Sequence, residues 1–283
     1  MPKTSLPFRL RFMGALLTVI GSLWPRLSSY LAYRLWFSTP RYKQSRREAV
    51  WADRASQDIY TVAGKKVVSY RWGAVSPGYV LLVHGWSGRA AQLGAFVNSI
   101  QLLGLGAIGF DAPGHGASEG NETNIFEFAE TIDEIVKRHG VPRAIITHSF
   151  GCMAAALAIR LYDLPTDKLV TISCPIDSYY LVEHFANQFR LNKKVISLFN
   201  KKLTSQFGED IFEKTSLIHN LKDRPVKLLI VHDKNDSVVP RQLGEKLAEA
   251  FPDARTIFTE NLDHLRLLRD EELIERITGF LDN

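Results

Sequence analysis

The sequence predicts an α/β protein built on a mostly parallel sheet, and three observations carry that reading. Six apolar runs are too short for helices: Tyr79 to Val83, Gly106 to Phe110, Ala144 to Thr147, Leu169 to Ile172, Lys227 to Val231 and Arg255 to Phe258. They are near-continuous rather than alternating, as strands covered on both faces are. Helical patterns lie between them, at Ala91 to Leu103, Ile125 to Arg138, Cys152 to Leu161 and Gln242 to Ala250, and that alternation implies right-handed β-α-β crossovers. Finally, 283 residues with 46% hydrophobic and 23% charged composition supply a sizeable core and exclude a disordered chain or a polytopic membrane protein.

Taken in order, the chain opens with an arm. Phe12, Leu16, Val19 and Leu23 form one stripe at helical spacing, with Met13, Leu17, Ile20 and Trp24 beside it and a narrow polar strip at Arg11, Ala15, Thr18 and Ser22. A second helix is expected from Leu27 to Phe37, and Pro40 with the basic run Arg41 to Arg47 reads as a linker. The stretch from Phe12 to Trp24 is too short to span a bilayer, which takes about 20 apolar residues. A signal peptide suits its basic start and apolar centre, but no clean cleavage site follows Trp24. From Ile59 the period changes: Ile59 to Val62, the turn Ala63-Gly64 and Lys66 to Trp72 read as a hairpin. The stretch Ile176 to Leu221 breaks the later alternation. It has no strand-like run and many aromatics, and it is expected to be a helical cap inserted between two strands. The organisation expected is therefore an arm over 1–54 and an α/β domain over 55–283, with the cap at about 176–221.

Charge divides the same way. The formal net charge is +5, yet the residues before Ala55 carry +8 and the remainder −3. A generally nucleic-acid-binding surface is excluded by that asymmetry and by the lack of any recognition motif, so no nucleic-acid partner is expected. Cys152 and Cys174 allow at most one bridge and have no metal-ligand spacing, which fits a reducing, cytoplasmic compartment and no metal. The glycines near Gly114 match neither G-x-x-x-x-G-K-[ST] nor a G-x-G-x-x-G turn after a strand, so no nucleotide cofactor is expected.

In a parallel sheet, ligands bind beyond the carboxyl ends of the strands. Four such ends bear chemistry: His84-Gly85-Trp86-Ser87-Gly88, Asp111 through Ser118, His148-Ser149-Phe150-Gly151, and His232 through Pro240. The third is the sharpest. A serine on a tight strand-to-helix turn exposes its hydroxyl at the sheet edge and faces the positive end of the next helix. Small residues are wanted two positions to either side; Gly151 fits, and Thr147 departs from the usual G-x-S-x-G. The plain alternative is that Ser149 merely caps the helix.

A nucleophilic serine needs a base, and the base needs a carboxylate to orient it. Of the eight histidines, only His264 follows a carboxylate at the end of the Lys227 strand, 28 residues past Asp236. Order, placement and uniqueness favour a nucleophile over a cap. Asp236 is the preferred acid, with Asp177 and Asp233 as rivals. Asp263 is adjacent to His264 in sequence and a poor orienter for that reason.

Together, His84-Gly85-Trp86, Asp111 through Ser118, Thr147 through Gly151, Asp236 and His264 resemble the serine α/β-hydrolase superfamily, particularly its esterase and lysophospholipase-like members. The resemblance covers about residues 58 to 283. It implies that Ser149 is the nucleophile, His264 the general base and acid, and Asp236 the group fixing the His264 tautomer. It also implies an oxyanion hole formed by the backbone amides of Trp86 and Phe150. Against these, His84, His115, Asp111, Gly114 and Gly116 read as loop-holding residues, and Cys152 as a small buried hydrophobe. His148 receives no role.

The resulting expectation is a cofactor-independent carboxylesterase acting on a small-molecule ester with a short-to-medium acyl or aryl group. Thioesterase, lysophospholipase, monoacylglycerol lipase and acyltransferase activities share the same triad. A membrane-attached binding protein on a hydrolase frame is the non-enzymatic alternative. For the arm two expectations stand: its apolar face between arginines lies on an anionic membrane surface, or it docks on the cap.

Overall fold

The computed structural model describes residues 8–76 and 78–282. The chain divides into two compact units, one formed by the chain up to Ser38 with Asp177–Ser216, the other by Thr39–Ile176 with the chain from Leu217 onward. The expected arm over 1–54 is therefore split at Ser38. The physical reason is local. Thr39 donates from its amide to Asn121 O and from its hydroxyl to Gly114 O, both at 2.9 Å, and Arg41 donates to Gly120 O at 2.8 Å, tying this segment to a loop of the second unit. The basic run also ends earlier than expected. Ser45 caps a helix over Arg46–Asp53 by a reciprocal pair of bonds with Glu48, so Arg46 and Arg47 are its first turn rather than linker.

In the first unit, helices Phe8–Leu23 and Pro25–Phe37 form a pair, with Pro25 at the first position of the second, where its missing N–H costs nothing. Ser28 Oγ donates to Leu17 O at 2.9 Å and pins the pair. The insertion contributes helices Ser178–Gln188, Lys193–Phe207 and Ile211–Lys214. Leu17, Ala32 and Tyr33 share one apolar cluster with Val182, Phe189, Phe199 and Leu203. Trp36 meets Phe185 and Phe199 edge-on, with ring centroids 5.2 and 5.7 Å apart. The insertion's aromatics thus form the core of this unit together with the arm. Its last expected segment, Leu217–Leu221, is helical but belongs to the second unit.

The second unit is built on an eight-stranded sheet: β1 Ser56–Val62, β2 Lys65–Trp72, β3 Tyr79–Val83, β4 Gly106–Asp111, β5 Ala144–His148, β6 Lys168–Ile172, β7 Lys227–Asp233 and β8 Arg255–Thr259. Their order across the sheet is β1-β2-β4-β3-β5-β6-β7-β8. Pairs β1–β2 and β2–β4 are antiparallel and the others parallel. Ala63 and Gly64 both have positive φ, +47° and +74°, as a two-residue hairpin turn between β1 and β2 requires. β3, β4, β5 and β6 are buried along their whole length, which explains their near-continuous apolar sequences. One expected helix differs: Ala91 to Leu103 resolves into a 3-10 turn at Ala90–Leu93 and a helix over Phe96–Leu102. Gly94 separates them and lies against Trp51, whose Cγ would be 2.2 Å from a Cβ there.

Candidate active site

The carboxyl ends of the parallel strands bring four loops to one edge of the sheet. At the centre, β5 ends at His148 and a helix begins at Phe150, so Ser149 alone makes the reversal. Its φ is +52°, a conformation a non-glycine residue holds at a cost of about 1–3 kcal/mol. The Ser149 amide donates to Ile172 O on β6 at 2.8 Å. Its hydroxyl makes no capping bond to the helix that follows, so the serine is not spent on the plain structural role. Close packing forces glycine at two neighbours. A Cβ on Gly151 would lie 2.5 Å from His84 O and 2.7 Å from Val83 O, and one on Gly85 would lie 2.8 Å from Ser149 Cβ. Thr147 is tolerated because its buried hydroxyl donates to Val170 O at 2.7 Å, between β5 and β6.

His264 lies just beyond β8, at the start of a short helix Asp263–Arg266. Its Nδ1 donates to Asp236 Oδ2 at 2.9 Å. Asp236 Oδ1 accepts the amides of Val238 and Val239, each at 2.8 Å, so both carboxylate oxygens are engaged and the side chain is closed to solvent. Burial pushes this carboxyl upward, but the hydrogen bond and charge of His264 and the Val239 amide outweigh it and hold Asp236 below the usual carboxylate range. The rival acids are engaged elsewhere. Asp233 accepts Asn235 N, Leu262 N and Thr259 Oγ1; Asp177 caps the helix Ser178–Gln188; Asp263 accepts the amide and hydroxyl of Ser237.

Ser149 Oγ is not hydrogen-bonded to His264 in this structure. The link between them runs through His148, which the sequence reading left without a role. His148 Nε2 donates to the His264 carbonyl at 3.0 Å, and the two rings lie 4.6 Å apart. The residue before the serine thus holds the backbone of the histidine beyond β8. A chemistry-bearing side chain at the last position of a buried strand was the available signal.

The turn after β3 supplies backbone donors. Neither Trp86 N–H nor Phe150 N–H has an acceptor among the described residues. The two rings meet edge-on at 5.0 Å, which couples the β3 and β5 loops. The turn is braced by histidines. His84 donates from Nδ1 to Gly85 O at 2.7 Å and accepts Ala112 N at 3.0 Å; His115 accepts Ser87 N at 2.9 Å. Asp111 accepts the amides of Ala90 and Ala117, each at 2.8 Å, and Tyr70 Oη at 3.1 Å. Cys152 and Cys174 are buried and are not joined by a disulfide.

Burial lowers His84 to about 4, and lowers His115 and His148 to about 3, with the charge of a neighbouring histidine adding to the effect in the last two. Each titrates near 6.5 in the unfolded chain, which therefore binds protons the folded protein refuses. Their contribution is complete above pH 6.5 and is lost as pH falls toward 4 for His84 and toward 3 for His115 and His148. Stability is expected to drop as pH falls through that window. Thermal melts in a pH series check this; a flat melting temperature from pH 7 to pH 5 contradicts it.

A family model described as the alpha/beta hydrolase family matches residues 80–276. Solved structures similar to this chain include an alpha/beta hydrolase domain-containing protein 10 from mouse, at 19% identity and TM-score 0.63, covering 81% of this chain and 97% of that one. A bromoperoxidase from Bacillus anthracis matches at 18% identity and TM-score 0.62, covering 81% and 100%. An esterase from Pyrococcus furiosus matches at 16% identity and TM-score 0.62, covering 86% and 95%. These identities establish a shared fold. No curated protein sequence matches the chain.

Proposed function

The chain belongs to the alpha/beta hydrolase family, and from that premise we propose that it is a serine carboxylesterase working through an acyl-enzyme on Ser149. The observation that carries the reading is the 2.9 Å bond from His264 Nδ1 to a buried Asp236, with the His264 backbone held by the residue next to a strained, uncapping Ser149. Ser149 Oγ attacks the ester carbonyl while His264 Nε2 takes its proton; Asp236 fixes the Nδ1–H tautomer and stabilises the imidazolium. The amides of Trp86 and Phe150 receive the developing oxyanion, a contribution typically worth about 100-fold to 1000-fold per donor. His264 then protonates the departing alcohol. In the second half, His264 draws a proton from water, the hydroxyl attacks the acyl carbonyl, and Ser149 Oγ leaves with the proton returned to it. No step requires a metal or cofactor, because every proton has a named donor and acceptor.

With the Trp86 and Phe150 rings paired edge-on at the two turns that carry these amides, the substrates proposed are short-to-medium acyl or aryl esters. A fluorophosphonate probe is expected to label the intact protein at one residue, mapped by mass spectrometry to Ser149, and to leave Ser149→Ala unlabelled. In a graded series of p-nitrophenyl esters, kcat/KM is expected to peak at short-to-medium chains. Labelling elsewhere, or none in folded protein, overturns the proposal.

A further inference from the structure

The first arm helix has two unlike faces. Gly14, Leu17 and Gly21 are buried, and the two glycines let the backbone come close: a Cβ on Gly14 would lie 3.6 Å from Phe189 Cα. The arm therefore docks on the insertion within its own unit, but through this narrow face. The stripe Phe12, Leu16, Val19 and Leu23, which has the spacing of a buried face, points outward instead, with exposures of 64%, 45%, 61% and 64%. At the end of that helix and into the next, Trp24, Leu27 and Tyr30 are also exposed. Isolated exposed apolar residues are ordinary, but seven within nineteen residues form a patch that marks an interaction site.

We propose that this face is a docking surface for an anionic lipid bilayer. Charge selects that occupant. No acidic residue precedes Glu48, and Arg11, Arg26 and Arg34 are exposed around the stripe. Lys202 adds a further cation, held 4.7 Å from the ring of exposed Tyr30 and 4.2 Å from that of Tyr33. A second copy of the chain would set these cations against their own equivalents, whereas phosphate headgroups neutralise them. Trp24 and Tyr30 are the aromatic types that settle at the headgroup level, each having an apolar body and a polar tip. No helix among the described residues is long and apolar enough to cross a membrane. The 16-residue helix spans only about 24 Å, against a hydrocarbon core of about 30 Å, so it lies in the interface plane.

The proposal stands apart from the hydrolase reading, because its readout is binding and not turnover. The full-length protein is to be co-sedimented with vesicles of mixed phosphatidylglycerol and phosphatidylcholine, and with vesicles of phosphatidylcholine alone. Binding to the anionic vesicles is expected, weakened by salt, with much less on the neutral ones. The double substitution Leu16→Glu/Val19→Glu lies on a solvent-facing stripe and is expected to keep the melting temperature while lowering the partition coefficient about tenfold or more. Arg11→Glu/Arg26→Glu is expected to weaken binding to the anionic vesicles comparably. Leu102→Glu, at an 88% exposed site in the other unit, is the control and is expected to bind as the parent does. Failure of the parent to bind anionic vesicles overturns the proposal, as does unchanged binding by Leu16→Glu/Val19→Glu. A lipid-free dimer that the same substitution converts to monomer also overturns it, and assigns the face to a second copy.

Discussion

Alanine at Ser149 is expected to lower kcat/KM for a p-nitrophenyl ester by about 10,000-fold or more, with KM little changed. In the proposed mechanism the hydroxyl is the bond-forming group, and the other candidate nucleophiles Cys152 and Ser173 are buried, in the following helix and in the sheet unit. His264→Ala is expected to cost about as much, and the double variant scarcely more, because groups acting as one relay do not contribute additively. Asp236→Asn is the more discriminating change. Asparagine can offer its amide N–H where Oδ2 now accepts, which favours the tautomer with the proton on Nε2 and loses the carboxylate charge; a fall of about 10,000-fold follows from that kind of error. Ser149→Ala and Asp236→Asn are expected to fold, since neither opens a large cavity. Steady-state kinetics after removal of trace contaminants is the measurement. Activity within tenfold of the parent for Ser149→Ala would remove the acyl-enzyme assignment.

Gly151→Ala is expected to destabilise the protein by about 3 kcal/mol or more, and to lose activity in whatever fraction folds. The added methyl would meet two backbone oxygens, His84 O at 2.5 Å and Val83 O at 2.7 Å. Val83 ends a strand buried along its whole length and His84, the next residue, is buried too, and both oxygens are backbone, so no side chain can swing away to relieve the clash. The helix after Ser149 must then retreat from β3, which is an overpacking and backbone strain combined. For a unit of this size the shift is about 10 °C in melting temperature. Retreat also separates Phe150 from the Trp86 turn, so the two candidate oxyanion donors lose their common focus. Gly279 provides the comparison: a Cβ there meets nothing within 4 Å, and alanine in that helix is expected to be neutral or to stabilise by up to about 1 kcal/mol. Similar melting temperatures for Gly151→Ala and the parent would show that the β3 turn yields more readily than its burial implies.

The two changes probe different kinds of information. The candidate triad was readable because its members stand at strand ends, and strand ends were readable because fully buried parallel strands are near-continuous apolar runs with abrupt polar boundaries. All six such runs are strands to within two residues. The requirement for a small residue beside Ser149 was likewise legible as a pattern. Its strength was not, because it depends on the distance to His84 O, a partner 67 residues away in sequence. The tolerance of Thr147 has the same origin, a hydroxyl satisfied by the neighbouring strand. The role of His148 is not local for a related reason: its donor is matched to a carbonyl 116 residues distant. The helix over Arg46–Asp53 is a different case, since Ser45 and Glu48 form a capping box whose spacing stands in the sequence amid a basic run that reads as linker.

The arm shows the boundary between the two most plainly. Its helices, its apolar excess and its positive charge are properties of the local sequence, set by residue spacing and composition. Which face of the first helix is buried is not, because both faces are apolar enough to pack. Packing selects the face of Gly14, Leu17 and Gly21, where the two glycines let another backbone approach, and leaves Phe12, Leu16, Val19 and Leu23 outside. Local periodicity counts apolar residues, whereas burial depends on shape against a partner that lies some 170 residues further along the chain.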